Sequence, residues 1–338
     1  MDVMIQGPYL LFLADAPADG TAKTAAGIWQ WRRELCAGQL RLPGCEVDLG
    51  LAELTPAEAV RQGIRTMVVG VANDGGFIAP NWVPAIVNAL QAGLDVASGL
   101  HQPLASIPEI AAAAKQSGRQ LIEVRQPADS FMPGTGKRRS GKRLLTVGTD
   151  CAVGKKYTAL AIEKEMRARG VDADFRATGQ TGIFISGRGV AVDSVVADFI
   201  SGAAEWLSPA AAPDHWDVIE GQGSLFHPAY AGVTLGLIHG SQPDVLVMCH
   251  ELGRNRLQGY DGFAIPSCEE CMDIYLSAAR LTNPQVRFAG VSLNTSRVGG
   301  TEANIAIAEV SRRLSLPCCD PIRNGVGPIA DNILSTAA

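Results

Sequence analysis

The sequence has no excess of basic charge: 29 Lys and Arg stand against 34 Asp and Glu in 338 residues, a formal charge of −5. Without a basic field, nothing holds a polyphosphate backbone along an extended surface, which argues against nucleic acid as a partner. Long apolar runs are missing too. The run Tyr9 to Ala14 stops at Asp15, too short to span a bilayer, and Met1-Asp2-Val3-Met4 carries an acid where an export signal needs basic residues. A soluble, cytoplasmic protein with no membrane partner is expected. Eight cysteines in a chain long enough for two domains do not make a disulfide scaffold, because cores of that size need no covalent staples. Cys268-Glu269-Glu270-Cys271 has CxxC spacing, but no second ligand pair follows, so buried thiols are expected rather than a zinc site.

Short apolar runs alternate with helical stretches along the whole chain, which predicts an α/β fold of two Rossmann-like domains with mainly parallel sheets. In the first half, Thr66 to Val71, Leu94 to Gly99 and Leu121 to Arg125 read as strands. Trp82 to Ala92 and Leu104 to Ser117 read as helices, closed by Gly93 and Gly118. No GxGxxG follows any of these strands, so the dinucleotide fingerprint is lacking. Residues 127–143, rich in Pro, Gly and Lys/Arg, read as a linker whose basic cluster is solvated. The expected division is therefore 1–126, a linker over 127–143, and 144–338. In the last part, Leu144 to Val147, Trp216 to Ile219, Val245 to Cys249 and Phe288 to Leu293 are near-continuous apolar runs, as strands covered on both faces must be.

The strongest motif is the strand Leu144 to Val147 running into Gly148-Thr149-Asp150-Cys151-Ala152-Val153-Gly154-Lys155-Lys156-Tyr157-Thr158. Small residues let backbone N–H groups converge on an anion at a helix N-terminus, and Lys155 adds positive charge. The spacing is Gly-x5-Gly-Lys rather than Gly-x4-Gly-Lys, similar to the loop of dethiobiotin synthetase, and the second domain is expected to be a P-loop domain of that kind. Where NTP-hydrolysing proteins place Ser or Thr to hold magnesium, this chain has Lys156. An ammonium group cannot ligate a cation, so the loop is suited to a phosphorylated ligand held by direct charge pairing, coenzyme A being one. No metal is expected.

A second motif is the strand Trp216 to Ile219 ending in Glu220-Gly221-Gln222-Gly223-Ser224, with His227 just beyond. In a parallel sheet its loop emerges at the same carboxyl edge as the phosphate loop. Glu220 is open to three readings: metal or water ligand, general base, or partner of Lys155 or Lys156. Arg254, Arg256, Asn294 and Arg297 fall on further strand-edge loops.

On these residues, together with Gly75-Gly76, Ser98-Gly99-Leu100-His101, Gly179-Gln180-Thr181-Gly182 and Asn294-Thr295-Ser296, the chain resembles, nearly end to end, a family long catalogued only as a domain of unknown function. That family joins a Rossmann-like N-terminal half to a P-loop C-terminal half. Some members are D-glutamate N-acetyltransferases, so the resemblance implies acetyl transfer from acetyl-CoA, as co-substrate, to the amine of an acidic D-amino acid. Such chemistry needs a base for the ammonium group, with Glu220 or His227 as candidates, and N–H donors for the oxyanion, expected around Gly221 to Ser224. Failing both bases, His101, His239, His250 and Asp261 remain. The acceptor's two carboxylates call for Arg254, Arg256 and Arg297. Cys151 as an acylated nucleophile has no obvious base nearby in sequence. The alternatives are an ATP-dependent ligase or kinase of dethiobiotin synthetase type and a non-catalytic nucleotide-sensing module. Partners are expected to be small molecules and further copies of the chain.

Overall fold

Strands buried on both faces need helices on both faces, and the chain supplies them in alternation. The computed structural model describes residues 5–17, 19–73, 75–126 and 130–335. They divide into two compact units: the described residues of Met1–Asp129 with Gly179–Ser194, and those of Ser130–Thr178 with Val195–Ala338.

The first unit is built from β1 (Tyr9–Ala14), α1 (Lys23–Trp31), β2 (Cys36–Arg41), α2 (Pro56–Arg61), β3 (Thr66–Val69), α3 (Val83–Ala92), β4 (Asp95–Ser98), α4 (Pro108–Ser117) and β5 (Leu121–Glu123). Its sheet runs β2-β1-β3-β4-β5, every pair parallel. The short apolar run at Tyr9 is thus a fully buried inner strand. Gly93 and Gly118 end α3 and α4 in the left-handed conformation, as expected. The helix predicted from Leu104 is in fact a 3-10 turn over Leu104–Ser106 followed by α4, because Ile107 precedes a proline and is held extended.

The second unit contains β6 (Lys142–Gly148), α5 (Lys155–Ala168), β7 (Ala173–Arg176), then α7 (Ile200–Leu207), β8 (Trp216–Ile219), α8 (Ala231–Ser241), β9 (Val245–Glu251), the hairpin β10 (Arg256–Leu257) and β11 (Tyr260–Ala264), α9 (Cys268–Arg280), β12 (Arg287–Asn294), α10 (Gly300–Leu314), β13 (Cys318–Cys319) and α11 (Gly327–Ser335). The intervening helix α6 (Gln180–Ser186) belongs to the first unit. There Thr181 meets Thr24 of α1, and Arg125 pairs with Asp193. The Gly179 to Gly182 motif therefore lies in the first unit and not in the second.

The larger sheet has the order β13-β12-β9-β6-β8-β7, again all parallel. Its core gathers Leu145, Val147, Ile219, Leu246, Met248, Tyr275, Phe288 and Val291. β6 lies between β9 and β8, so the phosphate loop opens at a point where the chain turns to opposite sides of the sheet, the usual place for a ligand. The described cysteines are all free, with Cys268 and Cys271 buried in α9. No helix among the described residues is long and apolar enough to cross a membrane.

The basic cluster read as a solvated linker is partly buried. Arg143 is 3% exposed, and its guanidinium donates to Ser208 Oγ (2.8 Å) and to the carbonyls of Ser140 (3.0 Å) and Pro209 (3.1 Å). Arg139 donates to the carbonyl of Gly240 (2.7 Å), near the end of α8, where the helix dipole favours a cation. Composition could not show these carbonyl acceptors. Close by, His215 presents Nδ1 to Asp172 (2.8 Å) and Nε2 to Asp217 (3.2 Å). Burial opposes charge on the ring, but the two carboxylates prevail and raise its pKa. A raised folded-state value stabilises fully below the unfolded value of about 6.5 and is lost as pH rises through the folded one. The urea midpoint is expected to fall as pH rises from about 6 to 8, and His215→Gln to flatten that fall.

Candidate active site

The loop after β6 begins with Gly148, where a Cβ would lie 2.7 Å from Val153 Cγ2 and 3.2 Å from Lys155 Nζ. Gly154, at φ +108°, turns the chain into α5. Two of the loop N–H groups are already bonded: Thr149 donates to the Cys249 carbonyl (3.1 Å) and Cys151 to Asp150 Oδ1 (2.6 Å). Lys155 Nζ folds back to donate to the Asp150 carbonyl (2.8 Å). Burial lowers its pKa, against the opposing pull of Cys151, Cys249, Asp150 and Glu220. Lys156, the residue in the magnesium-holding position, sets its ammonium 4.9 Å from the centre of the Tyr157 ring. Thr158 faces inward, donating to the Gly154 carbonyl (3.0 Å) with its hydroxyl 2.7 Å from Ser292 Oγ. It has no ligand position to offer at the loop mouth.

On one side stands the edge of β8. Glu220 is 3% exposed; its Oε2 accepts the Thr178 N–H (3.0 Å) and its carbonyl accepts the Thr178 hydroxyl (2.6 Å). Gly221 packs so closely that a Cβ would lie 1.7 Å from the Thr146 carbonyl oxygen, and its N–H donates to Thr146 Oγ1 (2.9 Å). That N–H is spent and cannot meet an oxyanion. Gln222 donates to Thr178 Oγ1 (3.2 Å), while Gly223, at φ +64°, turns the chain toward the buried Ser224. Tyr275, fully buried, donates to the Gly148 carbonyl (2.8 Å) and accepts the Leu225 N–H (3.2 Å), tying the two loops together.

On the other side stand the ends of β9 and β12. His250 is half-buried, its Nδ1 2.9 Å from Thr149 Oγ1. Burial, then the Arg254 charge, hold its pKa below the usual histidine value, with Glu251 opposing. Arg254 donates to Asp150 Oδ2 (3.1 Å) and the Cys151 carbonyl (2.8 Å) and pairs with Glu251, so it is a brace of the loop and not a free cation. Arg297 pairs with the same Glu251 (2.5 Å) but is 67% exposed. Asn294 ends β12, its Oδ1 accepting the Ser296 N–H (3.0 Å).

His227 is buried below both loops. Its Nδ1 accepts the Ala229 N–H (3.2 Å) and its Nε2 lies 3.2 Å from the Gln258 carbonyl, so both nitrogens are engaged. Ligand atoms of Asp150, Cys151 and His227 lie within 4.8 Å of one another. A cation does not fit there. Both Asp150 oxygens already accept, Oδ2 also from the Gln258 N–H (2.8 Å), and Lys155 and Arg254 add positive charge. Burial also holds the Cys151 thiol above its usual pKa, so it is not a ready nucleophile at neutral pH.

The phosphate loop, Glu220 to Ser224, His227, His250 and Arg254 thus converge, while Arg256 lies exposed on the hairpin. Gln258 and Tyr275 were missed by motif reading. Tyr275 sits 127 residues from Gly148 inside an amphipathic helix, where a tyrosine reads as core.

A family model described as a domain of unknown function, DUF1611, P-loop domain, matches residues 130–330, and its Rossmann-like N-terminal counterpart matches 40–127. A protein of a Pseudoalteromonas species named D-glutamate N-acetyltransferase is 48% identical, covering 98% of this chain and 100% of its own length. One of the same name from Tritonibacter scottomollicae is 50% identical, covering 97% and 98%. The crystal structure of a DUF1611 family protein from Anabaena variabilis superposes with a TM-score of 0.87 at 30% identity, covering 98% of this chain and 100% of that one. With both family models matched in order and a solved member sharing its fold end to end, the chain belongs to the DUF1611 family.

Proposed function

We propose that this chain is a D-glutamate N-acetyltransferase using acetyl-CoA as donor, without a metal. The observation that carries the reading is its near-half identity, end to end, to two relatives of that name. The loop supports it: Lys156 replaces the magnesium-holding hydroxyl, and Thr158, turned inward, does not restore it. Coenzyme A phosphates bind the remaining N–H groups of Gly148 to Lys156 with Lys155 and Lys156 supplying charge. The acceptor lies toward β9 and β12, one carboxylate on Arg297.

The acceptor's ammonium must lose a proton before its nitrogen attacks the thioester carbonyl. His250 is better fitted for this than Glu220 or His227. When Nδ1–H donates to Thr149, Nε2 presents a lone pair, and the depressed pKa keeps the ring neutral. Glu220 stands on the far side, where it supports the charge of Lys155. The oxyanion is met by N–H groups of Gln222 to Ser224.

His250→Ala should lower kcat by about 10²- to 10⁴-fold, whereas Glu220→Gln should mainly raise the KM for acetyl-CoA. Because the base must be neutral and its pKa is lowered, wild-type kcat should persist below about pH 6.5 and fall only as pH drops through the lowered value. The deciding assay is thiol release from acetyl-CoA on addition of D-glutamate, expected to proceed unchanged in EDTA. ATP-dependent turnover with none from acetyl-CoA would replace this reading by the ligase or kinase alternative.

A further inference from the structure

The hairpin β10–β11 is exposed along nearly its whole length, every residue of Tyr260–Ala264 included, yet its turn is anchored in the phosphate loop. The Gln258 N–H donates to Asp150 Oδ2 (2.8 Å), its carbonyl lies 3.2 Å from His227 Nε2, and Leu257 beside it is buried. Around that anchor runs a chain of rings. Tyr230 stacks on His227 at 4.6 Å between centroids, Tyr260 meets His227 edge-on at 4.9 Å, and Phe263 meets Tyr260 edge-on at 6.2 Å. Three of these rings remain open to solvent: Tyr230 at 50%, Tyr260 at 37% and Phe263 at 52%.

A two-stranded hairpin holds little stability of its own, and exposed aromatic faces cost hydration free energy unless something covers them. The geometry points to a purine ring as the cover: Tyr260 is the stacking platform for the adenine of the donor, and Arg256 on the same hairpin meets the 3′-phosphate of its ribose. Three observations select this occupant. The platform touches the phosphate loop through Gln258 and His227, and in coenzyme A the adenosine adjoins the pyrophosphate. Tyr260 is fixed by two ring contacts before any ligand arrives, so little rotamer entropy is lost on stacking. Arg256 is exposed on β10, and its guanidinium has no hydrogen-bond or ion-pair partner among the described residues, leaving its charge for a phosphate. The inference rests on the phosphate loop holding the donor.

The test compares two donors, acetyl-CoA and S-acetyl-4′-phosphopantetheine, which lacks the adenosine and its 3′-phosphate. Tyr260→Ala should raise the KM for acetyl-CoA about tenfold or more and leave that for the truncated donor unchanged, while Tyr260→Phe keeps the wild-type value. Arg256→Ala should raise the KM for acetyl-CoA but not for acetyl-dephospho-CoA, whose ribose carries no 3′-phosphate. Equal effects of Tyr260→Ala on both donors, no effect on either, or a change in subunit number without a change in donor preference would each overturn the assignment, the last pointing to a second copy of the chain as the cover. If the wild-type protein turned over neither donor, the acetyltransferase reading itself would fall, a result separable from any of these.

Discussion

Lys155→Ala should raise the KM for acetyl-CoA by about 10- to 150-fold, the loss of one charge-assisted contact worth about 1.5–3 kcal/mol. The lysine is 7% exposed and reaches the Asp150 carbonyl from inside its own loop, so an incoming phosphate meets a cation already in position. Lys155→Met, which keeps the aliphatic volume, should lose as much affinity and fold as well, separating lost charge from lost packing. Titration gives an independent signature. Burial lowers the Lys155 pKa, and only the charged form pairs with phosphate, so acetyl-CoA affinity in the wild type should decline with rising pH before the ordinary lysine range is reached. Phosphate binding pulls the same pKa upward, so saturating donor should delay the decline.

Asp217→Ala should cost about 3–5 kcal/mol of folding stability, the largest effect expected of a substitution away from the carboxyl edge. Asp217 is 1% exposed, accepts Arg176 Nε at 2.6 Å and Ser208 Oγ at 2.5 Å, and faces His215 at 3.2 Å. Arg143, whose pKa burial lowers, draws support from the same carboxylate. Removing it takes the most deeply buried anion from Arg176, His215 and Arg143, which keep only the more peripheral Asp174, Asp172 and Asp244. Urea titration should give a lower midpoint at an unchanged slope. Activity per folded molecule should survive at low temperature, because Asp217 lies near the start of β8 and Glu220 just past its end. A loss under 1 kcal/mol would mean the neighbouring carboxylates Asp172, Asp174 and Asp244 already neutralise this cluster.

Much of the fold was legible because buried parallel strands have to be apolar throughout: Leu144 to Val147, Val245 to Cys249 and Phe288 to Leu293 all lie in inner strands. The phosphate loop was legible because strand, glycines, lysine and helix follow one another in a single stretch. Where partners are distant in sequence, reading stopped. Arg254 looked like a free cation until Asp150, 104 residues away, was seen to hold it. Arg143 looked solvated because carbonyl acceptors leave no trace in composition. The membership of Gly179–Ser194 in the first unit depends on contacts such as Thr181 with Thr24, which no local pattern encodes. Among the candidate bases, Glu220 and His227 stood out by proximity to a motif, whereas His250 is distinguished by its hydrogen bond with Thr149 and its lowered pKa.

The most direct measurement is a calorimetric titration of the full chain with acetyl-CoA in EDTA, repeated with Lys155→Met and with magnesium and ATP. The expected result is binding of acetyl-CoA that chelation does not weaken and that Lys155→Met weakens by at least tenfold, consistent with a charge-assisted contact. Tight binding of magnesium-ATP with no heat from acetyl-CoA would contradict it.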